Sequence, residues 1–569
     1  MKYFLVLFTC SFLFGGAVQA QQPMEKTWLF FSDKPNAASA LAAPQSLLSQ
    51  RAIDRRERQG IALNETDVPV YDVYVQSLLD LGLEIHVCSK WLNAVSVSGT
   101  EAQITAAQNL PYIRKAAPVQ RYQIINDLTL PLNNQAMFRQ EATTDFSEVL
   151  GYTAGQIEQI NLDTLLAMGM TGDSMIIAVL DAGFFGVDTA DMFSSFWDKE
   201  QILGYYNFPA HNDEVFNIWS GYHGSWVMSV IGGDVDSVYS GSAPDAWFYL
   251  YRTEIAENEH VVEEDFWMQA AERADSVGAD IINSSLGYTE FDDAAENHTW
   301  EDLDGNTTVV TNAADMAASK GILVCNSAGN LGDSPWYYIS MPADGDSVFT
   351  IGGVSIDSSH ISFSGYGPTA DGRLKPNVVA LAGNSAVLSP DGGVTYLSGT
   401  SFSSPLIAGA CATLWAEFPE ATNMDVMHAV EQSAHLYATP DYAMGYGIPD
   451  FFKAYAILDS LFPDIPVDTT GDTTVIDTTE DTTTTVALLD LNPYVQNGSF
   501  TVFLQTSVNQ EAIFEVYTMQ GALMHQEKVY LTPELDEQVK LDVRNWGQGI
   551  YIAVLRAGPA YKSVQVFIE

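Results

Sequence analysis

The 569-residue chain predicts an α/β fold, a doubly wound parallel sheet with a small α+β domain before it and an antiparallel β-sandwich after it. Three observations carry this. From about residue 151 to 458, short apolar runs alternate with helical patterns, as strands buried on both faces do with their crossover helices. Before that, strands at hairpin spacing are interleaved with helices. From Pro463 the composition collapses to Asp and Thr, and short alternating apolar and polar runs then resume.

Residues 1–20 read as a secretory signal: Lys2, the apolar stretch Tyr3–Phe14, and small residues up to Ala20. That stretch is too short for a mature anchor, and no later run of ~20 apolar residues follows, so no membrane span is expected after export. The α+β domain takes residues 21–145. It has a strand at 27–32, a helix over Gln45–Gln59 with Arg and Glu on its solvent side, and a helix near Tyr71–Leu81. Strands Glu84–Ser89 and Asn93–Ser98, a helix Glu101–Asn109 and a strand Tyr112–Ala116 complete it.

The α/β domain takes 146–462, with strands Met175–Leu180, Ala246–Tyr251, Asp280–Ser284, Gly321–Asn326 and Val348–Val354. Helical patterns lie at Gly224–Ile231, Val262–Val277, Asn312–Ser319 and Leu406–Trp415. Residues 463–486 are a linker of Asp-Thr-Thr repeats. Residues 487–569 read as the sandwich.

Acidic residues number 72 against 24 basic ones, a balance that excludes nucleic acid and anionic membranes as partners. Nearly half of the basic residues fall between Lys26 and Arg139, with Arg51, Arg55, Arg56 and Arg58 clustered. A basic N-terminal part beside an acidic remainder suggests two pieces that attract. Beyond Cys10 in the signal only Cys88, Cys325 and Cys411 remain, too few for a disulfide framework. Cys325 and Cys411 read as buried thiols, with a bridge between them left open.

Gly399-Thr400-Ser401 precedes the buried helix Leu406–Trp415, so Ser401 lies at a helix N-terminus. Two readings compete there: a serine cap, or a nucleophile in the positive end of the helix dipole. Asp181 follows the most apolar strand, His223 opens a helix at Gly224, and Asn330 ends Ser327-Ala328-Gly329. Each alone is an ordinary cap or turn residue. Together they supply what acyl transfer requires. His223 takes the Ser401 proton, Asp181 fixes the imidazole tautomer, and Asn330 donates to the oxyanion with the Ser401 N–H.

These segments resemble the subtilisin-type serine endopeptidases, whose catalytic residues run in the order Asp, His, Ser. The resemblance rests on Ile177–Gly183, His223-Gly224-Ser225, Ser327–Asn330 and Gly399–Pro405, and covers roughly 156–458. Ile282–Gly287 resembles the cleft-lining segment of that family. The implied primary pocket is formed by Ser285, Leu286 and Gly287, by Ser327, Ala328 and Gly329, and by Ser340. No acid stands among these, which favours large apolar residues before the cut. Trp226, Ser403 and Tyr288 depart from the family pattern, and none is a catalytic group.

The N-terminal domain resembles the family's inhibitory pro-segment, most closely over 81–122, with a permanent accessory domain as the alternative. The last domain resembles the sorting domain of type IX secretion in Bacteroidota, through Asn492-Pro493, Gly498-Ser499-Phe500, Tyr517, Gly521 and Gly549-Ile550-Tyr551. Together these imply a peptide or protein substrate, the chain's own pro-segment as inhibitor, and the type IX machinery as partner. The implied destination is secretion or the outer cell surface, after export through the periplasm. The chemistry requires no cofactor. Asp302, Asp304, Asn306 and Thr307 resemble part of a structural calcium loop, the alternative being a polar turn. A rival of another class is a surface protein that holds peptide without cutting it.

Overall fold

A computed structural model describes residues 25–118, 150–255, 259–463 and most of 489–568. The signal, residues 119–149 and most of the Asp/Thr linker lie outside the described residues. The chain forms two compact units, one through Leu458 and one from Asp459.

The first unit opens with a four-stranded antiparallel sheet of order β2-β3-β1-β4. Its strands are β1 (Glu25–Phe31), β2 (Glu84–Ser89), β3 (Ala94–Gly99) and β4 (Ile113–Pro118). Helices α1 (Gln50–Arg58), α2 (Asp72–Asp80) and α3 (Glu101–Gln108) complete the predicted α+β order. Leu29, Phe31, Leu78, Val95, Val97 and Ile104 form its own core.

Helix α1 departs from expectation twice. It begins at Gln50, where the Ser49 hydroxyl accepts from the Ala52 N–H at 3.1 Å, because Pro44 confines the preceding residues to a short 3-10 turn. Arg55 and Arg56 do not face solvent but are buried, since acidic partners on a neighbouring helix draw them inward.

The central sheet has seven parallel strands in the order β11-β10-β9-β8-β5-β7-β6. They are β5 (Ile176–Asp181), β6 (Ile202–Asn207), β7 (Trp247–Arg252), β8 (Ile281–Ser284), β9 (Leu323–Ser327), β10 (Val348–Val354) and β11 (Val378–Leu381). The edge strands β6 and β11 were not expected. The first is only half-buried and carries Gly204-Tyr205-Tyr206, and the second has only four residues.

Helices α4 (Tyr222–Gly232) and α7 (Thr400–Trp415) pack against each other. Helices α5 (Val262–Val277) and α6 (Val309–Ser319) form a second pair. From β5 the chain goes to the edge strand β6, returns to β7 beside β5, and then crosses to β8 on the other side. This places a topological switch beside Asp181, where open α/β sheets form their crevice.

The second unit contains two antiparallel sheets, Leu489–Gln496, Ser499–Thr506 and Glu537–Asp542 in one, and Leu523–Leu531, Gln510–Thr518, Gly549–Ala557 and Ala560–Ile568 in the other. Among the described residues, no helix is long and apolar enough to cross a membrane.

Candidate active site

Asp181 is the last residue of β5 and is fully buried. Its carboxylate accepts from the Ala182 N–H at 2.7 Å, and both of its oxygens face His223 Nδ1, at 2.8 and 3.0 Å. Gly224 makes this approach possible. A Cβ there would collide with the Gly183 carbonyl and lie 3.0 Å from Asp181 Cβ. His223 sits in the first turn of α4 and caps nothing, since the helix begins behind Gly221. Burial disfavours its charged form, but the Asp181 charge and hydrogen bond outweigh this and raise its pKa above the ordinary value.

Ser401 is not a cap either. Helix α7 starts behind Gly399, which places Ser401 second in the helix, with its side chain almost wholly buried. The ring of the following residue, Phe402, lies with its centroid 6.4 Å from that of His223, so the first turn of α7 sits beside the histidine. Pro405 falls inside α7 and has no N–H, which leaves the Ser401 carbonyl without its helical donor. The Ser285 hydroxyl supplies that bond at 2.9 Å. One helix turn is therefore completed by the segment that follows β8.

Asn330 is exposed, and its Oδ1 accepts from the Thr400 N–H at 2.8 Å and the Thr400 hydroxyl at 3.0 Å. With the amide oxygen held in this way, the NH₂ group remains as the donor beside the nucleophile helix. The segments predicted to line the pocket do converge. A Cβ on Gly329, which has φ +88°, would lie 2.5 Å from Ser340 Oγ, and one on Gly287 would lie 2.7 Å from Ser340 Cβ. Asn326 Nδ2 donates to the Leu286 carbonyl at 3.1 Å, and the Ser340 N–H donates to the Ala328 carbonyl at 3.2 Å. Ser285, Leu286, Gly287, Ser327, Ala328, Gly329 and Ser340 thus form one wall.

The sequence reading missed Glu254, two residues beyond β7. Its Oε1 accepts from the Tyr288 hydroxyl and the Thr253 hydroxyl, both at 2.7 Å. Burial pushes this carboxyl up to about 7 despite those bonds, and Glu259 and Asp181 push in the same direction. Its charge bears on His223 as well. The legible signal was an acid close behind an apolar strand. Tyr288, noted only as a departure, is the donor that holds it.

The segment resembling a calcium loop is a self-capped turn. Asp302 accepts from the Thr299 N–H and hydroxyl, and Asp304 from Asn306 N–H, Thr307 N–H and the Thr307 hydroxyl. These donors lie within the loop itself. Cys325 and Cys411 are buried free thiols, and burial together with the neighbouring Cys325 pushes the Cys411 thiol up.

Residues 26–136 match the peptidase S8 propeptide domain of Bacteroidota, and residues 172–447 match the subtilase family. Membrane-bound transcription factor site-1 protease of Homo sapiens is 27% identical over 265 residues, 45% of this chain and 22% of that protein. Subtilisin E of Bacillus subtilis is 28% identical over 282 residues, 49% of this chain and 65% of the relative. Subtilisin DY of Bacillus licheniformis is 26% identical over 280 residues, 49% of this chain and 90% of the relative. The match therefore spans about a fifth of the human protein and most of the subtilisins. Among solved structures, the epidermin leader peptide processing serine protease of Staphylococcus aureus superposes with a TM-score of 0.51 at 15% identity. The superposition covers 76% of this chain and 99% of that one, and it shows the shared fold.

Proposed function

This chain belongs to the subtilase family of serine peptidases, carrying a pro-segment domain ahead of its peptidase domain, and we propose that Asp181, His223 and Ser401 perform its chemistry. The observation that carries this is the His223 ring, with Nδ1 fixed on both Asp181 oxygens and its other side facing the start of α7. His223 Nε2 takes the Ser401 proton as Oγ bonds to the scissile carbonyl carbon. The Asn330 NH₂ and the Ser401 N–H receive the oxyanion, and such a donor contributes ~10²–10³ in rate. His223 then returns the proton to the leaving amine, and water releases the acyl group by the reverse path.

The wall formed by Ser285–Gly287, Ser327–Gly329 and Ser340 contains no acid and supports a preference for large apolar residues before the cut. A fluorophosphonate probe is expected to label the mature enzyme at Ser401 alone. Tetrapeptide substrates that differ only in their last residue are expected to rank Phe and Leu at least tenfold above Arg in kcat/KM. Absence of labelling would favour a silent peptide-binding protein, and a preference for Arg would overturn the pocket assignment.

The signal-like residues 1–20 and the sorting-like C-terminal domain support export through the periplasm to the medium or outer surface by the type IX machinery. Removal of residues 487–569 is expected to strand the enzyme in the periplasm, and continued release would refute this route. The N-terminal domain is proposed to inhibit the cleft until it is removed.

A further inference from the structure

Beside His223 lies an aromatic platform that the mechanism leaves unused. Phe185 stands four residues beyond Asp181, and Trp219 and Tyr222 lead into His223. The Phe185 and Tyr222 rings stack with centroids 4.7 Å apart, and Trp219 meets them edge-on at 5.5 and 5.4 Å. Trp226, one of the departures from the family pattern, supports Tyr222 at 5.6 Å. Phe185 and Tyr222 are half-buried, whereas Trp219 is 72% exposed. A lone exposed tryptophan is ordinary, but joined rings at the edge of a catalytic site form a surface a ligand can use.

The platform is fixed by its backbone. The Phe185 N–H donates to the Gly221 carbonyl at 3.1 Å, and the Ser225 hydroxyl donates to the Phe185 carbonyl at 2.8 Å. A hairpin of Ser385–Leu388 and Val394–Leu397 brings its tip alongside. Gly186, at φ +72°, admits that tip, since a Cβ there would lie 3.0 Å from Pro390 Cβ. Asp391, next in the tip, closes the rim, where its Oδ1 accepts from the Tyr222 hydroxyl at 2.9 Å. Asp391 is exposed and has no basic partner among the described residues.

The wall of Ser285–Gly287 and Ser327–Gly329 follows β8 and β9, on one side of Asp181 in the sheet order. The platform leans to the other side. The Phe184 N–H donates to the Val215 carbonyl at 2.8 Å, and the neighbouring Phe216 ring lies 4.8 Å from Tyr205 in edge strand β6. With the residue before the cut against the wall, the platform borders the half that departs on the amine. We propose that Phe185, Trp219, Tyr222 and Asp391 form a subsite for a basic side chain, arginine above all, on the leaving-group side of the cut. Aromatic faces attract a guanidinium, and a carboxylate at the rim receives its N–H fork. The excess of 72 acidic over 24 basic residues favours the approach of cationic peptides. An apolar side chain would leave Asp391 unused, and an acidic one would be repelled by it. This rests on the reading of the chain as a peptidase and concerns a different position from the apolar residue before the cut.

The test uses the mature enzyme and internally quenched peptides with Phe before the cut. The peptides differ at one of the first three positions after it, arginine against norleucine. One of these positions is expected to favour arginine about fivefold in kcat/KM, the size that an exposed cation–π contact and an exposed ion pair give together. Trp219→Ala should bring that ratio below about twofold, and Trp219→Phe should hold it near about threefold, since a smaller ring keeps part of the attraction. Asp391→Asn keeps an oxygen for the Tyr222 hydroxyl but should roughly halve the ratio, and added salt should lower it in the parent. A thermal melt of each variant checks folding. A ratio near one in the parent, a ratio unchanged in Trp219→Ala because both peptides slow equally, or an arginine preference confined to positions before the cut would overturn the proposal. Failure of the peptidase reading would show separately, as absence of fluorophosphonate labelling, and the relative affinities of the arginine and norleucine peptides would then decide the subsite.

Discussion

Replacing Ser401 by alanine is expected to lower kcat by on the order of 10⁶-fold, the magnitude that loss of the serine costs in a subtilisin. The fold should persist, because what anchors this turn is backbone. Gly399 precedes the helix, and the Ser285 hydroxyl holds the residue 401 carbonyl, a group that alanine keeps. His223→Ala should cost about as much, and the double variant should be no worse than either alone, since the two groups act as one unit. Steady-state hydrolysis of a peptide amide, with a thermal melt as the folding control, checks this. Parent-level turnover in Ser401→Ala would remove the serine from the mechanism.

Asp181→Asn is expected to reduce kcat by about 10⁴ near neutral pH, because the amide presents a donor to Nδ1 and favours the wrong imidazole tautomer. The same variant should also move the pH profile. Catalysis requires neutral His223, so kcat/KM rises as pH climbs through its pKa, which lies above 6.5 in the parent. Burial alone lowers that pKa, and it is chiefly Asp181, with a smaller push from Glu254, that raises it. Removing the charge should therefore carry the acidic limb to lower pH. An acidic limb that stays in place would mean that another group, with Glu254 foremost, controls it.

The fold class and the four polar positions of the site were legible because their signals are local. Asp181 ends an unbroken apolar strand, and His223, Asn330 and Ser401 each adjoin a glycine-bearing turn at the edge of a helix or strand. What stayed hidden depends on chain-distant partners. Glu254 has no motif, and its burial follows from Tyr288, which lies 34 residues on. Arg55 and Arg56 read as solvent-facing because a charged helix normally turns its charges outward. Asp275, 220 residues beyond Arg55, reverses that preference, with Asp67 as a second acid on Arg56. Edge strand β6 was lost for a related reason, since one neighbour leaves half of it exposed and blurs the apolar pattern.

The missing N–H of Pro405 ties two properties that enzyme engineers usually treat as separate. The residue that replaces the lost helical bond, Ser285, belongs to the wall against which a substrate would lie. A change made in that wall to broaden which peptides are accepted would loosen the backbone that carries the attacking oxygen. In this molecule selectivity and reactivity share a single hinge pin, and a lineage altering its diet would have to retune its nucleophile in the same step.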